Sequence, residues 1–188
     1  MTGLCAEAEK SARSSTDRTA PEGRGPGAGK ITIERTSDAA LIQRLITTPA
    51  IWKDVIDDFA PSPEEYKPLI SEGMIYLLAQ DQDDIVGLFI FQMRSWTEFE
   101  FHAVVLPEMW LKLKAKPAAL AAFDWIWNHY PTCQRIVGYV PVLKHRTRLR
   151  LAPKLGMTQF GLDPNSFQKD GRLWDRACFG ISRPADGF

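Results

Sequence analysis

Three side chains in one short segment have the types and the spacing for proton transfer. Glu98, Glu100 and His102 alternate along the strand-like run at residues 97–106. Because successive side chains of a β-strand point to opposite faces, a regular strand places all three on one face. A histidine can accept a proton near neutrality without a large change in its pKa. The segment therefore predicts a general base at Glu100 or His102, or alternatively a polar strand face with a hydrogen-bonded histidine.

The same segment leads into an arrangement that suits anion binding. Residues 108–116 connect the strand to an alanine-rich helix that begins near Pro117. Unpaired backbone amides and the dipole at a helix N-terminus favour a phosphate group. The connection contains no glycine, however, so β-carbons crowd the backbone donors. It offers three flexible positive charges as phosphate ligands, which would otherwise form only a solvated basic face: Lys112, Lys114 and Lys116.

Hydrophobic periodicity places these residues in a mixed α/β chain. Strand-like runs cover residues 31–35, 74–80, 85–93, 97–106, 135–142, 157–162 and 173–182. Helical spacing covers residues 38–47 with Ser37 as N-cap, 49–59, 117–130 and a basic stretch at 144–152 that closes at Pro153. Asp170-Gly171 predicts the tip of a final hairpin. We expect an α/β (α+β) domain over residues 30–188, built on one mixed, mostly antiparallel sheet with helices on both faces.

Composition limits the other possibilities. Residues 1–29 carry five of the 13 glycines and no aromatic residue, which predicts a flexible tail or one that a partner orders. The formal net charge is zero, so no overall attraction to nucleic acid or anionic membrane is expected. No apolar run approaches a membrane span, and we expect no signal peptide. The three cysteines are scattered, which argues against a zinc site and favours a reducing compartment.

Four motifs resemble the GNAT (Gcn5-related N-acetyltransferase) superfamily. They are VVLPEMW at 104–110, PAALAAFDWI at 117–126, RLRLAPKLGM at 148–157 and FQKDGRLWDRACFGI at 167–181. The predicted element order is also that of the GNAT fold. More narrowly, DDFAPSPEEY, the E-x-H-x-x-x-L-P spacing and SFQKDG resemble a phage-encoded subgroup of acetyltransferase-like proteins.

The resemblance implies a cofactor and a set of site residues. Acetyl-CoA is expected between the fourth and fifth strands, beside Val104, Val105 and Leu106, with the pyrophosphate at Met109–Lys116. The resemblance implies a base on the fourth strand, for which Glu100 and His102 are the candidates. His145 aligns with an asparagine that often begins the late helix. Ala152 replaces the tyrosine that many members use as general acid.

Two functions from different classes remain open. The first is an acetyl-CoA-dependent N-acyltransferase, cytoplasmic in a bacterial host, acting on a small-molecule or peptide amine. Asp57-Asp58 and Glu64-Glu65 are conceivable ligands of a cationic acceptor, or simply exposed carboxylates at a helix end. The second is a catalytically silent structural protein of a phage virion, whose tail binds other subunits. In that case Trp110 or Leu111 would fill the cofactor cleft.

Overall fold

The computed structural model describes residues 31–143 and 149–185. The strands are β1 Ile31–Thr36, β2 Met74–Asp81, β3 Asp84–Met93, β4 Glu98–Val105, β5 Arg135–Pro141, β6 Thr158–Lys169 and β7 Arg172–Ser182. The helices are α1 Ala39–Ile46, α2 Pro49–Val55, α3 Pro107–Leu111, α4 Ala115–His129 and α5 Leu151–Lys154. The strands form one sheet in the order β1-β2-β3-β4-β5-β7-β6. Only the β4–β5 pair is parallel, which confirms the predicted mixed, mostly antiparallel sheet.

Both faces of the sheet are covered, as predicted. On one face, α4 packs Phe123 and Ile126 against Phe89, Phe91 and Phe101. On the other face, α1 packs Ile42 and its apolar neighbours against Tyr76, Leu88, Ile90 and Val104. Successive side chains of β3 therefore pack into the two cores in turn. This explains why this central strand is a continuous apolar run.

The first two helices differ from the prediction at their ends. Asp38, not Ser37, caps α1, because its carboxylate accepts hydrogen bonds from the amides of Ala40 and Leu41, both at 3.0 Å. Helix α2 ends at Val55, four residues before the predicted Phe59. Ile56 is extended, and the carboxylate of Asp57 accepts a hydrogen bond from the Phe59 amide, which starts a turn there.

Corrections are also needed around the connection after β4 and near the C-terminus. Residues 107–111 form the separate helix α3, and α4 begins at Ala115, so Pro117 is its third residue rather than its first. This is tolerated because the first amides of a helix have no partner within it. Pro153 lies inside α5, which continues to Lys154. Strand β6 runs on to Lys169 through a bulge between Asp163 and Phe167.

The predicted hairpin tip at Asp170-Gly171 is confirmed. Both residues have positive φ, 54° and 68°, as the two central residues of a type I′ turn require.

Candidate functional site

A gap opens where β4 and β5 separate. The two strands pair from Glu98–Arg135 to Glu100–Val137 and then diverge. The amide of Leu106 donates to the carbonyl of Val86 on β3, at 3.1 Å. Because backbone groups alternate along a strand, the odd-numbered residues Phe101, Ala103 and Val105 present theirs to the gap. Beyond Phe101, the pairing with β5 supplies no strand partner for these groups among the described residues.

The three residues predicted to lie beside the cofactor differ in which way their backbone groups point. Val105 turns its backbone toward the gap, whereas Val104 and Leu106 turn theirs toward β3. Val104 contributes its side chain instead, at the wall of a cavity. Ala103, which the sequence did not single out, also turns its amide and carbonyl toward the gap.

The gap leads into a cavity of about 430 Å³ that is lined from both faces of the sheet. On the α1–α2 side its walls include Ile46, Trp52, Val55, Tyr66 and Tyr76, and on the α5 side Leu151, Ala152, Leu155 and Met157. Trp110 is part of the wall, and Leu111 points away with 86% of its surface exposed. Neither side chain fills the cleft.

Glu100 and His102 form a hydrogen-bonded pair beside this cavity. The Nε2 atom of His102 lies 3.1 Å from Oε1 of Glu100, and Nη1 of Arg94 donates to Oε2 at 2.6 Å. The Glu100 side chain is 8% exposed, whereas that of His102 is 47% exposed and lines the cavity. The hydrogen bond from His102 and the charge of Arg94 hold the pKa of Glu100 below its usual range. Glu100 is therefore a fixed anion, and His102 is the member of the pair that can meet a substrate.

Glu98 makes a different contact. Its carboxylate lies 3.5 Å from Arg135, at the start of β4, where β4 and β5 are still paired. The predicted common face for the three polar side chains is correct, but the structure joins only Glu100 and His102.

The depressed pKa of Glu100 predicts a pH-dependent contribution to stability. A carboxyl group whose folded pKa is lowered stabilises the fold above its ordinary value of 4.5, and this contribution is lost as the pH falls toward the folded pKa. Glu100→Gln should therefore cost stability at neutral pH and less at acidic pH, measured by urea unfolding across pH 3–7. Glu72→Gln, at an exposed position, controls for the loss of one charge. A cost that does not change with pH would contradict the assignment.

Tyr139 is a site residue that the sequence analysis missed. It lies on β5 across the gap from His102 and lines the cavity. The guanidinium groups of Arg94 and Arg176 lie 5.9 and 5.3 Å from its ring centroid. Its alternation with Arg135 and Val137 was visible in the sequence, but only the strand pairing shows that this face meets Glu100. Arg94 and Arg176, each paired with a carboxylate, therefore flank the Tyr139 ring beside Glu100.

The connection between β4 and α4 folds without glycine by using a left-handed leucine. Leu113 has φ 57°, a conformation that glycine adopts without strain. The amides of Lys112, Leu113 and Lys114 donate to carbonyls of α3 at 3.0–3.1 Å. These donors are thus engaged within the turn.

Two of the three predicted phosphate-binding lysines are held by carboxylates of the β2–β3 hairpin. Lys114 lies 2.7 Å from Asp81, and Lys112 lies 3.3 Å from Asp84. Lys116 is exposed and makes no ion pair with another residue in the described ranges. A phosphate role for Lys112 and Lys114 stays a prediction and requires that these ion pairs open.

The strained leucine predicts opposite effects for two neighbouring substitutions. Leu113→Gly relieves a left-handed conformation that costs about 1–2 kcal/mol, partly offset by about 0.5–1 kcal/mol of extra chain entropy in the unfolded state. It should be neutral or slightly stabilising. Leu111→Gly, equally exposed but helical, should destabilise by up to about 1 kcal/mol. Thermal unfolding of the two variants tests this, and equal losses in both would be inconsistent with strain at Leu113.

The late helix shows no catalytic side chain at the two positions that the resemblance singled out, His145 and Ala152, within the described residues. His145 lies outside the described residues. Ala152 is buried in the cavity wall, so this position supplies no acid.

Three of the four acidic residues considered for a cationic acceptor are engaged in the fold: Asp57, as described above, Asp58 and Glu65. The carboxylate of Asp58 accepts hydrogen bonds from the amides of Asp170 and Gly171 at 2.9 and 2.8 Å, and these bonds, chiefly that from Gly171, lower its pKa. Glu65 accepts from the amide and hydroxyl of Ser62. Both carboxylates hold loops in place, because they accept hydrogen bonds from backbone amides.

Comparison with solved structures identifies the architecture. A spermidine N-acetyltransferase from Vibrio cholerae in complex with CoA and spermine superposes with a TM-score of 0.67 over 81% of this chain and 95% of its own, at 18% identity. A dodecameric structure of spermidine N-acetyltransferase from the same organism gives 0.63 over 81% and 93%, at 17% identity. The chain has a GNAT-like fold. At these identities the likeness establishes the fold alone.

The comparisons with protein families and with curated proteins add no family or function. No protein-family model and no curated protein matches the sequence. The resemblance to a phage-encoded subgroup stays a prediction. None of the helices in residues 31–143 and 149–185 has the length and apolarity of a membrane span. Within the same ranges, no cluster of His, Cys, Asp or Glu is arranged to hold a metal ion.

Proposed function

We propose that this protein is an acetyl-CoA-dependent N-acyltransferase that acts on a small-molecule amine. The observation that carries the proposal is the gap between β4 and β5, which opens into a cavity with His102 in its wall. A structural protein with a filled cleft is not supported by this geometry, because Trp110 lines the cavity and Leu111 lies in solvent.

The gap has backbone groups that suit the amide-containing arm of the cofactor. Ala103 and Val105 present to it hydrogen-bonding groups that have no strand partner among the described residues, and such groups need a partner when water is excluded. Lys116 is an exposed charge near the start of α4, where phosphates would lie. Bound acetyl-CoA would supply the acetyl group as a thioester. The glycine-free turn at Leu113 provides fewer donors, so we expect weaker phosphate binding than a glycine-rich loop gives.

His102 is the residue that we assign as general base. Glu100 accepts a hydrogen bond from the Nε2 side of the ring, which leaves Nδ1 as the basic nitrogen of a residue that lines the cavity. The carboxylate is itself held by Arg94, so it orients the ring and stabilises the imidazolium that forms when the amine loses its proton. Glu100 is thus a positioning residue rather than a second base.

Two measurements test the proposed function. Calorimetry with CoA and acetyl-CoA reports whether the gap takes the cofactor, and thiol release in the presence of an amine panel reports transfer. We expect saturable CoA binding in the micromolar range and amine-dependent thiol release. If neither ligand binds at millimolar concentration, the proposal is wrong.

A further inference from the structure

The half of the cavity that faces α1 and α2 has a distinctly apolar lining. It is formed by Ile46, Trp52, Val55, Ile56, Tyr66 and Tyr76. The rings of Trp52 and Tyr66 pack edge to face, with centroids 5.3 Å apart. The hydroxyl of Tyr76 donates to the carbonyl of Leu69, and burial raises its pKa to about 12, so it remains neutral. Such a surface recognises apolar and aromatic bodies.

From this lining we infer that the acceptor is a primary amine on an apolar, aromatic body, that is an arylalkylamine, and not a polyamine. The inference rests on the proposed function and specifies its substrate class. In the reaction, the amine nitrogen forms a bond to the acetyl carbon and the bond from that carbon to sulphur breaks. The amine proton passes to His102, and the sulphur leaves as the CoA thiolate, which takes a proton from solvent as His102 returns its own.

The distribution of charge excludes a polycation. Among the lining side chains that the structure describes, none is acidic. Of the carboxylates near the lining, Glu100 is paired with Arg94 and Asp163 with Arg176 at 2.8 Å, while Asp58 and Glu65 accept hydrogen bonds from backbone amides. A polyamine would bring two or more ammonium groups into an apolar cavity without a counter-charge, and the loss of hydration would not be compensated.

The same lining helps the chemistry of a monoamine. Only the neutral form of an amine is a nucleophile, and burial in apolar surroundings disfavours the ammonium form. An arylalkylamine places its ring among Trp52 and Tyr66 and its single nitrogen toward His102 at the gap. Binding energy from the remote ring then positions the reacting nitrogen.

The deciding experiment compares 2-phenylethylamine, tryptamine and spermidine at saturating acetyl-CoA, by thiol release and by mass of the product. We expect kcat/KM to be about 10²-fold higher for the aromatic amines, the discrimination that a good apolar pocket achieves. Equal or faster acetylation of spermidine overturns the inference and leaves the proposed function standing. CoA binding without acetylation of either aromatic amine also overturns it. Failure to bind CoA overturns the proposed function itself.

Two variants connect the preference to the lining. Trp52→Ala should raise KM for 2-phenylethylamine by about tenfold without changing CoA affinity, whereas Trp96→Ala, 74% exposed and outside the cavity, should change neither. If Trp52→Ala unfolds, Val55→Glu provides a second test from the same wall. The new carboxylate should shift the ratio of kcat/KM values toward spermidine, and an unchanged ratio would contradict the inference.

Discussion

Replacing His102 with glutamine should lower kcat/KM for the amine by about 10²–10⁴-fold, the usual contribution of a general base. The imidazole is the basic group that lies in the cavity wall, and Glu100 holds it through Nε2 at 3.1 Å. Glutamine keeps a hydrogen-bonding side chain on β4 but cannot take the amine proton. The thermal stability and the affinity for CoA should stay close to wild type, because the ring is half exposed.

The control for this prediction is His129→Gln. His129 lies on α4, where its ring stacks on Trp125 and its Nδ1 meets the carbonyl of Trp125 at 2.8 Å. This variant removes a histidine outside the cavity and should leave turnover unchanged. Comparison of the two variants separates the roles within the pair. Glu100→Gln should lose less of kcat/KM than His102→Gln, because the imidazole that takes the proton is still present. Wild-type turnover by His102→Gln would rule out the assignment.

Much of the fold was predictable because its signals are local. The apolar runs at 74–80 and 85–93 and the helical spacing after Pro117 each depend on a few adjacent residues, and Asp170-Gly171 has the composition of its turn. The helix ends were less predictable, because they depend on side-chain to backbone bonds. Asp38 rather than Ser37 caps α1, since it is the residue whose carboxylate reaches two amides.

The candidate site shows the same division. The two-residue spacing of Glu100 and His102 predicted their shared face, and the structure brings them into contact. Arg94 and Tyr139 could not be placed with them from spacing, because the strand pairing across β3, β4 and β5 is what brings them together. The role of Asp58 was equally hidden, since its partners Asp170 and Gly171 lie more than 110 residues further along the chain.

The sequence analysis expected steric crowding in the connection after β4, because that connection has no glycine. The tighter steric constraint lies elsewhere. The glycine that this region requires is Gly87, on the neighbouring strand β3. A β-carbon built there would lie 2.3 Å from the carbonyl oxygen of Val104 and 2.9 Å from the Cα of Val105. Both atoms belong to the backbone of β4, so no side-chain rotation can relieve the contact. A glycine at this place lets β3 approach β4 closely just before the gap.

Gly87→Ala should therefore destabilise the protein by about 3 kcal/mol, at the upper end of the range for overpacking, and lower Tm by roughly 6–12 °C for a chain of this size. Gly73→Ala is the matched control, because a β-carbon there meets no atom within 4 Å. The two variants are compared by calorimetric unfolding. An equal drop in both would contradict the steric argument.

If Gly87→Ala still folds, β4 must shift at Val104 and Val105, where Val105 presents its backbone to the gap. CoA affinity should then fall in this variant and not in Gly73→Ala. That result would show that the close approach of β3 to β4 shapes the gap beside β4.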